Sequence, residues 1–158
     1  MASRRPKKCE AIAMRFIHPK SEVDPKARLG ENVCVCAFAC IRADEGEIEV
    51  GNNSNVQESC VLHGKGVSIG KNVTIGHGAI VHGCKVNDNV LVGMNSTLLD
   101  GCEIGEWSIV AAGAVVTPGT MIPPNSVCAG VPAKILRQTS EKDRELITRS
   151  WQEYAERI

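Results

Sequence analysis

The chain has four histidines, and three of them, His63, His77 and His82, fall within one window of twenty residues. Three neutral imidazoles form a ligand set for Zn²⁺, and Fe²⁺ or Co²⁺ would also fit it. Three protein ligands leave a fourth position open, which marks a catalytic rather than a structural site. A metal held there would lower the pKa of bound water to about 7 and supply hydroxide at neutral pH. The fourth histidine, His18, precedes Pro19 and stands apart in sequence; it reads as a surface residue.

Each of the three clustered histidines lies beside an aliphatic residue that recurs every six positions. The series runs Val23, Leu29, Val35, Ile41, and resumes after an insertion at 43–47 with Val50, Val56 and Leu62. It slips by one to Ile69, Ile75 and Val81. It then shortens by one to Val86 and continues through Val92, Leu98, Ile104, Val110, Val116 and Ile122 to Cys128. A period of six suits neither an amphipathic helix nor a long two-faced strand. It suits short strands joined by tight turns, three to a coil, stacked as a parallel β-helix. Composition agrees: hydrophobic residues make up 43% but aromatics only 3%, so stacked Val, Ile and Leu must form the core.

Counting in threes sorts the repeat into faces. Ile41, Leu62, Val81, Leu98 and Val116 share a first. Val35, Val56, Ile75, Val92, Val110 and Cys128 share a second. Leu29, Val50, Ile69, Val86, Ile104 and Ile122 share a third. Three places beyond each third-face residue stand Asn32, Asn53, Asn72, Asn89, Trp107 and Asn125. Asparagine tolerates the left-handed conformation that a tight corner requires, so this column supports the register independently.

The register separates the histidines. His63 and His82 each follow an inward residue of the first face, one coil apart, and should stack. His77 sits two places after Ile75, on the second face, with up to about 16 Å of chain between it and His82. If prisms pack side by side with cyclic symmetry, His77 of one chain meets His63 and His82 of the next. A homotrimer would then hold three equivalent sites between subunits.

The ends are simpler. Residues 1–19 read as a basic tail (Arg4, Arg5, Lys7, Lys8) and a leading extended segment, 20–137 as the β-helix, and 138–158 as a C-terminal helix capped by Ser140. Ile147, Trp151, Tyr154 and Ile158 form one stripe on that helix, placed to pack along the prism or on a neighbouring subunit. No apolar h-region follows the tail, and no run approaches the ~20 residues of a membrane span. Eighteen basic residues balance eighteen acidic ones, so nothing points to nucleic acid or an acidic membrane as partner. The eight cysteines lack zinc-finger spacing and read as reduced core or turn residues, which suits the cytoplasm.

Arg42-Ala43-Asp44-Glu45-Gly46, Ser54-Asn55-Val56-Gln57-Glu58, Val61-Leu62-His63, Ile75-Gly76-His77 and Val81-His82-Gly83-Cys84 together resemble the gamma-class carbonic anhydrases in their short-loop form. Ile122-Pro123-Pro124 and Gly130-Val131-Pro132-Ala133-Lys134 are similar too, and the likeness covers roughly residues 20 to 137. The resemblance implies an all-β solenoid with left-handed coils, a homotrimer with metal between subunits, and reversible hydration of CO₂ to bicarbonate. It implies that Gln57 and Asn55 lie near the metal, Gln57 orienting hydroxide or substrate. It also implies intersubunit ion pairs between Arg42 and acidic groups such as Asp44 and Glu58.

Two departures from the family pattern stand out. Glu58 replaces a common Asp. Only thirteen residues separate His63 from His77, so the long acidic loop that carries a proton-shuttling carboxylate in other members is absent. Glu45, in the insertion, matches an acidic position of the long-loop form and is the candidate shuttle here. Two other readings use the same fold. One is a hexapeptide acyltransferase or CoA-thioester-acting relative relying on a single histidine. The other is a non-catalytic scaffold subunit.

Overall fold

A computed structural model describes residues 14–158. The basic tail, Cys9 and Ile12 lie outside the described residues. The chain winds into a left-handed β-helix of about six turns, followed by one helix.

A strand of two or three residues has no stability alone, so each coil is held by the coils above and below it. The first face stacks Glu22–Val23, Cys40–Ile41, Val61–His63, Ile80–His82, Thr97–Leu98 and Val115–Val116 in parallel. The third stacks Arg28–Leu29, Ile48–Val50, Val67–Ile69, Lys85–Val86, Glu103–Ile104 and Met121–Ile122. The second face begins with Arg15–Ile17 and Val33–Val35. It continues through Asn55–Val56, Thr74–Ile75, Leu91–Val92, Ile109–Val110 and Ser126–Ala129. Lys134–Gln138 then turns back antiparallel to Ser126–Ala129 and closes the second face, a strand that the six-residue period does not reveal.

The pairing follows the repeat: Val35 lies opposite Val56, Val56 opposite Ile75, Ile75 opposite Val92, and Val110 opposite Cys128. These inward side chains make one continuous core with no aromatic residue in it. The asparagine column turns the chain as its residue type requires. Asn32, Asn53, Asn72, Asn89, Trp107 and Asn125 all have φ between 54° and 62°. Side chains link along the column, Asn32 Nδ2 donating to Asn53 Oδ1 (3.1 Å), Asn53 to Asn72 (2.9 Å) and Asn72 to Asn89 (3.1 Å).

The helix Glu141–Ala155 opens with a capping box: Ser140 Oγ accepts from Asp143 N, and the Asp143 carboxylate accepts from Ser140 N at 2.7 Å. It packs back along the second face. Outward residues Leu91, Ile109 and Val127 are apolar there and enclose Ile147, while Tyr154 and Ile158 cover Cys34 and Cys36. The outward residues of the third face, Arg28, Glu49, Ser68, Lys85 and Glu103, are polar, and with Met121 alone apolar at its end they offer a helix little to bury against. All seven described cysteines are free.

Candidate metal centre

Stacking of the strands Val61–His63 and Ile80–His82 places His82 directly beside His63 in the parallel ladder. Their rings approach edge to face, with centroids 5.2 Å apart. The His63 side chain is only 14% exposed, and its Nε2 is buried with no hydrogen-bond partner. Two carboxylates of the insertion stand near that nitrogen, Asp44 Oδ1 at 3.3 Å and Glu45 Oε1 at 3.8 Å. The bulge at 43–47 thus folds over the first face. His82 is more open, and its Nδ1 lies 2.7 Å from Asp100 Oδ1.

His77 stands on the second face, at the corner above Glu58, with its Nδ1 2.7 Å from Glu58 Oε2. Its side chain is half exposed. Among the described residues, no three His, Cys, Asp or Glu side chains converge within one chain. His63 and His82 are brought together, and His77 is not brought to them.

The residues present fit a metal. A buried imidazole nitrogen that makes no hydrogen bond is costly unless an ion pair or a metal satisfies it, and His63 Nε2, with only the Asp44 and Glu45 carboxylates near it, is such a nitrogen. On His82 and His77 the carboxylate partner stands at Nδ1, which leaves Nε2 available as the ligand atom.

The remaining candidates fall in two groups. Gln57 and Asn55 are buried on the second face. Gln57 Nε2 donates to Asn55 Oδ1 (3.2 Å), and Asn55 Nδ2 donates to Thr74 Oγ1 (3.0 Å), so the two amides are locked. Gln57 shares with His77, Met94 and Tyr154 the wall of a cavity of about 380 Å³ beneath the C-terminal helix. Arg42 continues the column of His63 and His82, its backbone N bonded to Leu62 O at 3.0 Å. Its guanidinium is engaged within the chain: Nη2 donates to Asp44 Oδ2 at 2.7 Å. That hydrogen bond holds the Asp44 carboxyl below the usual carboxylate range. Glu58 is beside His77 rather than Arg42. Asp100 is the residue that motif reading misses. Gly83-Cys84 recurs one 18-residue coil later as Gly101-Cys102, and the same spacing carries His82 to Asp100.

The chain matches two repeat families, the bacterial transferase hexapeptide (six repeats) over residues 83–118 and the hexapeptide repeat of succinyl-transferase over residues 66–99. It is 37% identical over 146 residues to the carnitine operon protein CaiE of Salmonella agona, covering 89% of this chain and 74% of that protein. It is 35% identical over 148 residues to the mitochondrial gamma carbonic anhydrase 2 of Arabidopsis thaliana, covering 88% of this chain. It spans about half the length of that plant relative, 53%. Among solved structures it is similar to a hexapeptide transferase family protein from Anaplasma phagocytophilum. The TM-score is 0.79 at 32% identity, over 90% of this chain and 89% of that one. With the histidine register, the three-faced solenoid and these relatives together, the chain belongs to the gamma-carbonic-anhydrase-like family of hexapeptide-repeat proteins.

Proposed function

We propose that the protein is a metal-dependent carbonic anhydrase, hydrating CO₂ reversibly to bicarbonate at sites between the subunits of a homotrimer. One observation carries this reading: two histidines stack on one face while the third lies on another face of the same rigid prism. A relative named as a gamma carbonic anhydrase supports it. The outward side chains of the first face also support self-association. Val61, Ile80 and Val115 are apolar there, and Ile80 remains 40% exposed in the single chain.

His63, His82 and His77 of a neighbouring subunit would hold the ion, Zn²⁺ or Fe²⁺. When bound, such an ion lowers the pKa of a coordinated water to about 7 and so supplies a nucleophile at neutral pH. Gln57, locked by Asn55, presents a fixed amide at the cavity wall for orienting substrate. Glu45, 3.8 Å from His63 Nε2 on an exposed bulge, is placed to take the released proton to solvent. Arg42 and Asp44 brace that bulge. The free thiols suit a cytoplasmic, reducing setting.

The test is stopped-flow CO₂ hydration on protein loaded anaerobically with zinc or with iron. One ion per chain and hydration that disappears on chelation are expected. Stoichiometric metal with no hydration above the buffer rate would overturn the reading and leave a scaffold. Its likeness to a transferase-family structure keeps acyl transfer as the second reading. Coenzyme A binding by metal-free protein would favour that alternative.

A further inference from the structure

A metal-ligating histidine is only as good as the group that holds its other nitrogen, because that group sets the tautomer and the ring orientation. His63 sits under the 43–47 bulge, but His82 is a third exposed and lies at the rim. Its one strong contact is to Asp100, one coil above, with Nδ1 and Oδ1 2.7 Å apart. A carboxylate can only accept, so Nδ1 carries the proton and Nε2 keeps its lone pair.

The surroundings are shaped for this pair. Asp100 is held through its backbone, independently of its side chain. Gly101 N donates to Gly83 O at 2.8 Å, and Gly119 N donates to Asp100 O at 2.9 Å. The carboxylate lies over Gly83, where a Cβ would stand 2.1 Å from Asp100 Oδ1. Below, a Cβ on Gly64 would stand 3.1 Å from His82 Cε1. Both glycines have positive φ, 111° at Gly64 and 58° at Gly83. Gly64 leaves room beside the His82 ring, and Gly83 leaves room for the Asp100 carboxylate that meets it.

We infer that Asp100 is the positioning residue of the site, holding His82 as its Nδ1–H tautomer with Nε2 presented for a ligand, in a slot opened by Gly64 and Gly83. An ion pair this exposed adds little to stability. Its role is orientation. The consequence for metal affinity rests on the carbonic anhydrase reading; the tautomer does not. In an acyltransferase the same tautomer would leave Nε2 as the general base.

The experiment uses the full chain and two variants, Asp100→Ala and Asp100→Asn. Nitrogen-15 NMR of the metal-free protein at about pH 8, where imidazole is neutral, reads the His82 tautomer. The wild type is expected to be Nδ1–H. Asp100→Asn should keep it, since an amide oxygen still accepts, and Asp100→Ala should shift to the Nε2–H form. Zinc affinity, measured by chelator competition, should fall about 10- to 100-fold in Asp100→Ala and less in Asp100→Asn. An Nε2–H wild type, or an Asp100→Ala variant with unchanged tautomer, would make the contact a surface pair only and overturn the inference. If no form binds zinc, the proposed function fails while the tautomer still decides the role of Asp100.

Discussion

His63 and His82 do different work within one pair. His63 is mostly covered, its Nε2 buried and making no hydrogen bond, whereas His82 is tied at Nδ1 and open at its rim. Replacing His82 therefore removes a proposed ligand without opening the core. His82→Ala is expected to lose stoichiometric metal and all CO₂ hydration while its far-UV circular dichroism stays that of wild type; hydration at the normal rate would remove the residue from the site. Glu45 is accessible and near His63 without touching Gln57 or Asn55. Glu45→Gln should lower kcat about 10²-fold, leave kcat/KM and metal content unchanged, and be rescued by added imidazole buffer. Loss of kcat/KM instead would make Glu45 a substrate-binding rather than a proton-moving residue. The histidine spacing, Gln57 and Asn55 are legible in the chain because the repeat assigns each a face and a coil. Asp100 belongs to no motif: the recurrence of Gly83-Cys84 as Gly101-Cys102 sets it one coil from His82, but the contact itself depends on Gly64 leaving room beside the ring and Gly83 leaving room for the carboxylate.

At the scale of elements, the asparagine column is the hinge line of the prism. Asn53 both accepts from Asn32 and donates to Asn72, and its φ is 62°. Asn53→Ala loses both bonds and forces a Cβ-bearing residue without a compensating side chain into the left-handed region, so chemical denaturation should show about 1–3 kcal/mol of lost stability. Asn53→Gly should recover the backbone part only; equal losses in the two variants would assign the cost to the ladder bonds alone. The column breaks at Trp107, which adopts the same positive φ. There the C-terminal helix intervenes: the Arg144 guanidinium lies 4.9 Å from the Trp107 ring centroid and donates to Asn125 Oδ1. The helix thus repairs the one place where the repeat departs from asparagine. Its first turn is pH-sensitive. Hydrogen bonds from Arg137 and from Ser140 N hold the Asp143 carboxyl well below the usual range. A depressed folded-state pKa means the stabilisation is complete above the unfolded value, near 4, and is lost as pH falls through the folded one. The stability gap between wild type and Asp143→Asn should be present at pH 7 and close in strong acid; a gap that persists there would assign the effect to packing.

At the scale of the molecule, the metal reading is a statement about assembly. Ligands that sit on two faces of one prism meet only when prisms pack, so binding energy becomes association energy. Chelation should therefore shift sedimentation from trimer toward monomer at low protein concentration, and added zinc should reverse it. A trimer indifferent to chelation would place its stability in the apolar first face rather than in the ion.

The six-residue period was enough by itself to determine the solenoid, its three faces and the pairing of His82 with His63. This is because each inward residue has one place in a coil and each coil one neighbour on either side. The same period carries no information about groups outside it. The returning strand Lys134–Gln138, the fold of the bulge over His63 and the contact of Asp100 with His82 depend on side-chain volume, on where Gly64 and Gly83 leave space, and on apolar outward positions such as Ile109. Those are properties of packing between coils, and only the tertiary structure decided them.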